Sequence, residues 1–393
     1  MTTAFQRRAR AWLADEAPRR GWLPSQAVTL AAGGDDPASQ SAELERSRAC
    51  QQALCAAGFG AITFPTEYGG QGLGVQEQIE FNGEAAAYNL PLSELVVGLG
   101  VCAPTLLTLG SDQQKARYLP PLLRAEEIWC QLFSEPGAGS DVASVRTSAV
   151  GEAAAGWAVD GQKVWTSGAH HAQFGLLLAR TDPGAEKRHA GLTMFVLDMT
   201  SPGITMRPLR QMDGTAHFNE AFLDGVHVPP DHLVGAVNGG WAAALVSLMS
   251  ERVNLGTTRA TAGMVPDAET LLAAAHTRGV ASDPVLRQEL IDVVIRERVL
   301  AYTGKRISAT VLAGRKPGPE GSIAKLFDSD LLRRAAGVGA RIHGPATAAW
   351  HPGSDADRTW GRAVLFAPGM RIAGGTDEIQ RNTLAERALG LPR

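Results

Sequence analysis

Residues 134–141 read Ser134-Glu135-Pro136-Gly137-Ala138-Gly139-Ser140-Asp141, and residues 163–167 read Lys163-Val164-Trp165-Thr166-Ser167. In the first stretch, glycines beside small hydroxyl residues let backbone N–H groups approach a polar cofactor closely. In the second stretch, Trp165 offers a flat apolar face to a planar ring. The two stretches together predict a flavin site.

Further stretches continue the pattern on both sides of this turn. In chain order, the pieces that carry it are residues 65–70, 126–130, 131–141, 163–167, 251–253 and 374–382. A single Gly-x-Gly-Ser is typical of an ordinary turn, but six pieces in order are not. Together they resemble the acyl-CoA dehydrogenase family, and the resemblance covers nearly the whole chain.

Composition excludes two classes of partner. The chain has 393 residues with 37 basic and 40 acidic side chains, a net charge of −3. Such a balance attracts neither nucleic acid nor an anionic membrane, so neither is expected as a partner. The longest uncharged run, residues 95–111, is shorter than the roughly 20 apolar residues that a membrane helix needs. It is expected to be a buried segment that lines a pocket.

Cysteine and histidine usage predicts a reduced protein without a metal. No apolar core of signal-peptide length follows the arginines at positions 7, 8 and 10, so secretion is not expected. The cysteines show no paired spacing, which predicts core thiols in a cytoplasmic protein. These cysteines are Cys50, Cys55, Cys102 and Cys130. The nine histidines form no spacing typical of metal ligands.

The spacing of apolar residues changes twice along the chain and predicts three domains. Residues 1–127 show helical spacing, with a helix expected to start at Asp112. Residues 128–233 show short apolar runs between turns, which predicts a small antiparallel β-domain. Residues 234–393 return to helical spacing and predict a four-helix bundle.

Individual elements follow from the same spacing. Helices are predicted at 42–54, 76–88, 241–264, 284–312, 322–338 and 376–389, and strands at 157–164, 175–179, 192–197, 204–209 and 218–223. Residues 31–37 and 182–188 contain the Gly, Pro and charged residues that are typical of loops, and are predicted to be loops.

The resemblance implies what spacing alone does not. It implies an α+β, acyl-CoA dehydrogenase-like fold that holds FAD, in a homo-oligomer (dimer or tetramer) where the far end of the flavin touches a neighbouring subunit. A heteromer is the alternative. The implied substrate is acyl-CoA or another acyl thioester, and the implied electron acceptor is an electron-transfer flavoprotein or a similar carrier.

Removal of two hydrogens from a thioester needs a base for the α-proton, a hydride acceptor and hydrogen bonds to the thioester oxygen. Many family members carry the base directly before the Gly-Thr of the C-terminal motif, where this chain has Gly374. Another branch carries its Glu on the first helix of the bundle, and Glu251 resembles that placement. The resemblance therefore implies Glu251 as the base and the Gly374 N–H as a donor to the thioester carbonyl.

The helical spacing of residues 241–264 bears on the placement of Glu251 independently of the family resemblance. At about 100° per residue, one face is apolar except for Arg252, with Glu251 at its edge. Two ionisable residues on an apolar face are unusual unless they are paired with opposite charges or have a function. Either Glu251 and Arg252 form a structural ion pair at a domain interface, or Glu251 is a base whose pKa is raised by apolar surroundings.

The resemblance also assigns residues to the cofactor. Residues expected at the polar edge of the flavin ring are Gln131, Leu132 and Ser134, and those expected at its face are Trp165, Thr166 and Ser167. Ser134 has a simpler alternative as a turn cap.

At the far end of the cofactor, Thr376 and Glu378 match positions that meet the phosphate and ribose. Glu378 replaces the more usual amide, and a carboxylate there would repel phosphates. The Arg-x-x-Phe-Gly stretch that often clasps the adenine end is absent, which leaves Arg278 and Gln288 as candidates.

Two residues are assigned to the substrate. Ser140 is expected near the CoA pyrophosphate, and Arg252 is expected to contact the CoA portion or to steady the site.

These residues predict an FAD-dependent acyl-CoA dehydrogenase that converts an acyl thioester to the trans-2-enoyl thioester. Two alternatives stay open. One is a flavin-dependent reductase or monooxygenase on the same scaffold, which the glycine at position 374 favours. The other is a non-catalytic subunit of a heteromeric acyl-CoA dehydrogenase.

Overall fold

Along the chain, a mixed β-sheet follows one group of helices and precedes a second group. The structure is a computed structural model that describes residues 2–18, 37–257, 265–315, 318–349 and 355–392, with all their side chains except those of 37–38, 251–257 and 355–358. The helices before the sheet are α1 (Ala4–Glu16), α2 (Pro37–Ala56), α3 (Val75–Ala85), α4 (Ala103–Leu109) and α5 (Asp112–Leu123).

The sheet contains eight strands, and the second group of helices follows it. The strands are β1 (Trp129–Leu132), β2 (Ser148–Glu152), β3 (Gly156–Ser167), β4 (Phe174–Arg180), β5 (Leu192–Asp198), β6 (Ile204–Leu209), β7 (Phe218–Val228) and β8 (Leu233–Val234). The helices after them are α6 (Gly240–Thr257), α7 (Ala268–Thr277), α8 (Pro284–Leu312), α9 (Glu320–His343), α10 (Asp355–Met370) and α11 (Asp377–Arg387).

The strand order is β6-β7-β3-β2-β4-β5-β8, and β1 pairs with β4 beside this path. Most neighbours are antiparallel, as predicted, but β1 and β2 both pair with β4 in parallel. Side chains of β4 and β5 alternate between two buried clusters, one on each face of the sheet. Burial on both faces explains why these strands read as continuous apolar runs.

Aromatic packing fastens the first strand to the helices before it. The ring of Trp129 in β1 lies 5.3 Å from that of Tyr118 in α5 and 5.2 Å from that of Phe174 in β4. Trp129 and Tyr118 both belong to a cluster that helices α4, α5 and α6 share with the sheet. The junction between helices and sheet is therefore a packed core.

Capping residues start two helices, α5 and α8, at the residues that the sequence predicted. The Ser111 hydroxyl accepts from the Gln114 N–H at 3.1 Å, and the Gln114 side chain accepts from the Ser111 N–H, so α5 begins at Asp112 with a capping box. The Asp283 carboxylate accepts from two N–H groups of the first turn of α8, which begins at Pro284. Helix α8 thus has the predicted bounds, residues 284–312.

Several predictions are refined by the structure. All five predicted strands are present, and β1, β2 and β8 are additional short strands. In the described residues after the sheet, α7 and α10 accompany the four predicted helices, and α9 packs against α6, α7, α8, α10 and α11. Predicted helix 241–264 is described as far as Thr257, and the predicted loop 31–37 lies outside the described residues up to position 36.

The uncharged run 95–111 is helical and largely buried. A π-helical turn at Gly98–Cys102 leads into α4, and most of both segments is inaccessible to solvent. The four cysteines are free thiols. In the described part of the chain, no helix has the length and apolarity to cross a lipid bilayer, and no group of three or more His, Cys, Asp or Glu side chains is arranged to hold a metal ion.

Candidate active site

The turn at residues 134–141 lies directly against strand β3. The Val164 N–H donates to the Ser134 carbonyl at 2.9 Å, and Glu135 and Ala138 exchange two backbone hydrogen bonds of 3.0 Å. Gly137, Gly139 and Ser140 are exposed. The two stretches that predicted a flavin site are therefore adjacent in space.

A buried ion pair joins these stretches. Lys163 is 0% exposed, and its ammonium group donates to a Glu135 carboxylate oxygen at 2.8 Å. Burial lowers the pKa of Lys163 to about 8, against the opposing effect of Glu135. Burial alone would raise the pKa of Glu135, but Lys163 and N–H donors outweigh it and hold that pKa below its ordinary value. Both groups are thus charged at neutral pH.

Trp165 follows this pair in an unusual backbone conformation. Its φ angle is +59°, and the register between β3 and β7 shifts between Lys163 and Thr166. Such irregularities re-aim side chains and are over-represented next to active sites. The indole is 55% exposed, with the Phe218 ring 5.6 Å away edge-on. An apolar aromatic face is thereby presented at the surface, as a planar ring requires.

The two residues after Trp165 turn back into the protein. Thr166 is buried, and its hydroxyl has no hydrogen-bond partner among the described groups. Ser167 is half-buried and ends strand β3. A buried hydroxyl without a protein partner calls for a ligand or water, so this atom fits a polar edge of a bound cofactor.

A hydrogen-bonded histidine, which the sequence did not single out as a site residue, supports this corner. The Asn219 amide donates to the Thr166 carbonyl at 3.3 Å and contacts His170 Nδ1 at 3.0 Å. The other ring nitrogen of His170 lies 3.0 Å from the Gln40 amide oxygen in α2. The network links the first group of helices to the strand that carries Trp165.

The two β1 residues that were predicted at the polar edge of the flavin ring, Gln131 and Leu132, differ in the exposure of their side chains. Gln131 is half-buried, whereas the Leu132 side chain is 0% exposed in the core of the sheet. Only the backbone of Leu132 is thus placed to meet a ligand. Ser134 is half-buried at the start of the turn.

The C-terminal motif forms a second glycine turn. Gly374 and Gly375 have φ angles of +63° and +87°, a region that favours glycine. The Gln380 amide donates to the Gly374 carbonyl at 2.8 Å, and a Cβ on Gly375 would lie 2.7 Å from the same amide. Gln380 is fully buried, and its Oε1 has no partner among the described residues. Gln380 was not among the site residues predicted from the sequence, although its place in the motif at 374–382, one turn after Thr376, could have indicated it.

Thr376 and Glu378 have different local roles. The Thr376 hydroxyl caps α11 by accepting from the Ile379 N–H at 3.2 Å. The Glu378 side chain is 72% exposed, and its carboxylate lies 3.5 Å from the Arg381 guanidinium. Beside a phosphate, this arginine would offset part of the repulsion that the carboxylate exerts.

A buried carboxylate between these two residues holds the turn on α9. Asp377 accepts from Lys325 at 3.0 Å, from the Ser329 hydroxyl at 3.0 Å and from the Arg371 guanidinium at 2.7 Å. Burial alone would raise the pKa of Asp377, but hydrogen bonds from Arg371, Lys325 and Ser329 hold it below its ordinary value. The sequence pattern had not indicated a role for this residue.

The residues proposed for the intersubunit half of the cofactor site, Arg278 and Gln288, are less enclosed than those of the two glycine turns. Arg278 ends α7 and approaches His343 Nδ1 at 2.8 Å. Gln288 lines an open groove of about 450 Å³ between α8 and α9, together with Arg333, Arg334 and Arg341. Glu289 and Asp292 also line the groove, and each of these arginines is ion-paired with a carboxylate. A phosphate would therefore have to compete with those carboxylates for the guanidinium groups.

The proposed base and its neighbour lie on α6. The backbone of Glu251 and Arg252 is within Gly240–Thr257, but their side chains lie outside the described residues. Ser247, one turn earlier, contacts the Thr105 hydroxyl of α4 at 2.9 Å. The helix that carries Glu251 therefore packs against the buried run 95–111.

Comparison with known families agrees with this arrangement. Residues 34–126, 130–226 and 238–389 match the N-terminal, middle and C-terminal domains of acyl-CoA dehydrogenases. With helices, sheet and helices in the same order, the chain belongs to the acyl-CoA dehydrogenase family, and the matches indicate an oxidoreductase of this family. The resemblance and the α+β fold class predicted from the motifs are confirmed.

Two curated relatives come from Mycobacterium tuberculosis. Acyl-CoA dehydrogenase IpdE1 is 35% identical over 395 residues, which cover 99% of this chain and 97% of the relative. Acyl-CoA dehydrogenase FadE34 is 40% identical over 350 residues, which cover 87% of this chain. The chain spans only 46% of FadE34, about half its length.

Two solved structures share the fold over nearly their full length. The Tcur3481-Tcur3483 steroid ACAD has a TM-score of 0.82 at 26% identity, covering 99% of this chain and 97% of that chain. The ChsE4-ChsE5 complex from Mycobacterium tuberculosis has a TM-score of 0.76 at 26% identity, covering 100% and 99%. Each of these two structures carries the names of two different proteins.

Proposed function

We propose that this protein is an FAD-dependent acyl-CoA dehydrogenase that converts an acyl thioester to the trans-2-enoyl thioester. The observation that carries the proposal is the contact between the turn at 134–141 and the strand that presents the exposed indole of Trp165. In a member of this family, that contact supplies both the polar and the apolar side of a flavin site. We retain 1–127, 128–233 and 234–393 as the proposed domain division.

The residues present fit FAD. The buried Thr166 hydroxyl and the Gln380 amide oxygen lack partners among the described residues, and each lies beside one of the two glycine turns. Gln131, Ser134 and Ser167 would supply polar contacts to the ring, and the Trp165 indole would cover its face. When bound, FAD supplies the hydride acceptor.

The chain itself supplies proton transfer and substrate polarisation. The Glu251 carboxylate would take the α-proton, and an apolar environment would raise its pKa toward the working pH. The Gly374 N–H would donate to the thioester carbonyl and stabilise the negative charge that develops on its oxygen. Ser140 and Arg252 would hold the CoA portion.

A second copy of this chain would complete the cofactor site. Four apolar side chains share one face of α8 and are between 42% and 62% exposed. They are Ile291, Ile295, Val299 and Tyr302. The groove that contains Gln288 lies beside them, so a subunit seated on this face would bring its neighbour's cofactor to the groove arginines. Thr376, Glu378 and Arg278 remain the proposed contacts to the rest of the cofactor.

The carrier that accepts electrons is proposed to be an electron-transfer flavoprotein or a protein of similar role, docked near the flavin edge. The substrate panel for any assay should include steroid-derived acyl-CoA thioesters, because one similar structure is that of a steroid ACAD. Straight-chain and branched acyl-CoA thioesters complete the panel.

The test replaces the proposed base. Glu251→Gln should retain FAD but lose anaerobic flavin bleaching by the best saturated thioester, by about 10²- to 10⁴-fold in rate. Glu186→Gln, on an exposed loop, is the matched charge control and should bleach at the parent rate. Full turnover in Glu251→Gln would refute the base assignment.

The same preparation separates the alternatives. A parent protein that binds FAD but bleaches only with NAD(P)H, or depends on oxygen, would assign a reductase or monooxygenase. A colourless parent that acquires flavin only with a second, different chain would assign a subunit of a heteromer. Mass measurement of the native complex distinguishes a homo-oligomer from a heteromer.

A further inference from the structure

Lys163 has every donor satisfied in the interior of the sheet. Besides Glu135, its ammonium group donates to the Phe133 carbonyl at 3.0 Å and to the Leu178 carbonyl at 2.7 Å. An ammonium group has three N–H donors, and all three therefore have partners. A fully buried lysine with a complete set of acceptors holds one geometry.

Glu135 extends the same network to another segment. Its carboxylate accepts from the Arg146 N–H at 2.6 Å and from the Thr147 N–H at 2.8 Å, just before β2. Lys163 and Glu135 together thus connect the end of β1, the glycine turn, the start of β2, strand β3 and strand β4. The backbone hydrogen bond from Val164 to Ser134 also links the turn to β3.

Stability alone gives little reason for such a pair. Removing two charges from water is expensive, and well-packed apolar residues of similar volume are often as stable or more stable. The ion pair does fix where the turn lies relative to β3. Trp165, with its positive φ angle, is only two residues beyond Lys163, so a shift of Lys163 would move the indole.

We propose that Lys163 and Glu135 are positioning residues of the cofactor site, which set the distance between the turn at 134–141 and the indole of Trp165. This inference rests on the proposed flavin binding. Neither side chain needs to touch the cofactor, because each acts through the backbone that it holds.

The experiment compares Lys163→Met with the double variant Lys163→Met/Glu135→Gln. The single variant leaves a buried carboxylate without its counter-ion and should lower the unfolding temperature. The double variant removes both charges, while the amide oxygen that replaces the carboxylate still accepts from a backbone N–H, so the unfolding temperature should recover in part. Leu13→Ala, in a core away from the sheet, is the control for general destabilisation.

The readouts are the FAD dissociation constant and the shape of the bound flavin's visible absorption band. Both Lys163 variants should bind FAD about tenfold or more weakly, equivalent to about 1.4 kcal/mol, with an altered band. Leu13→Ala should leave both readouts unchanged at a comparable loss of unfolding temperature. Weak FAD binding that persists in the double variant supports positioning.

Two outcomes would overturn the inference. In one, FAD affinity follows the unfolding temperature across all three variants, so that the pair is merely structural. In the other, both Lys163 variants bind FAD with parental affinity and spectrum. A parent protein that binds no FAD would instead refute the proposed function, and is recognised before any variant is made.

Discussion

Replacing Asp377 by Asn should destabilise the C-terminal helices strongly, although the change is nearly isosteric. The carboxylate is 5% exposed, and Lys325, its partner at 3.0 Å, is 9% exposed. Asp377→Asn keeps the shape of the side chain but removes its charge, so the Lys325 ammonium stays buried without a counter-charge. Removing one member of a buried pair costs about 3 to 5 kcal/mol.

The lower end of that range applies here. Arg371, the other cation, is 43% exposed and can turn to solvent. A loss of about 3 kcal/mol, at about 2 to 4 °C per kcal/mol for a domain of this size, lowers the unfolding temperature by about 6 to 12 °C. Calorimetry and urea unfolding at pH 7 measure the change.

The neighbouring residue provides the control. Glu378→Gln removes the same charge from a side chain that is 72% exposed, and should change stability by less than about 0.5 kcal/mol. Because the pKa of Asp377 is held below its ordinary value, its contribution is present above about pH 4 and lost as the pH falls further. Equal losses in the two variants, or an Asp377→Asn loss under about 1 kcal/mol, would refute the reasoning.

Two further predictions concern the sheet and its surroundings. Gly175→Ala places a Cβ 2.3 Å from a methyl group of Leu132 in a packed core, and should lower the free energy of unfolding in urea by about 1 to 3 kcal/mol. Gly83→Ala, in helix α3 with open space around it, should leave that free energy unchanged or raise it by up to about 1 kcal/mol. A larger loss of stability in Gly83→Ala than in Gly175→Ala would contradict this prediction. Burial, followed by the neighbouring imidazoles, lowers the pKa of His170 to about 4. A histidine in the unfolded chain has a pKa of about 6.5, so the free energy of unfolding should decline as the pH falls from there toward 4. His170→Gln should lack this part of the pH dependence. An NMR titration midpoint of about 6.5 for His170 in the folded protein would contradict the prediction.

Elements with local signals were predictable from the sequence. Helix α8 has its predicted bounds because its start depends on Asp283 and Pro284, adjacent in the chain. Strands β3 to β7 were visible because apolar runs between turns are local patterns. Helix α7 was missed because its ten alanine-rich residues lie between longer periodic segments and show no sharp polar face.

The supporting contacts of the site depend on distant partners, and local patterns do not reveal them. Lys163 reads as a surface residue until Glu135, the Phe133 carbonyl just after β1 and the Leu178 carbonyl of β4 surround its ammonium group. Asp377 likewise needs Lys325, 52 positions earlier in the chain. The sequence motifs therefore located the two glycine turns, whereas what holds those turns in place was recognisable only in three dimensions.

Strand β1 has a consequence for how the protein comes apart. It emerges directly after α5 and inserts beside β4 in parallel, with Trp129 between aromatic rings of the helix and of the sheet. The helices before the sheet cannot detach without exposing that tryptophan and breaking the β1–β4 ladder. We therefore expect loss of order in either region to propagate to the other, so that the two melt as one cooperative unit.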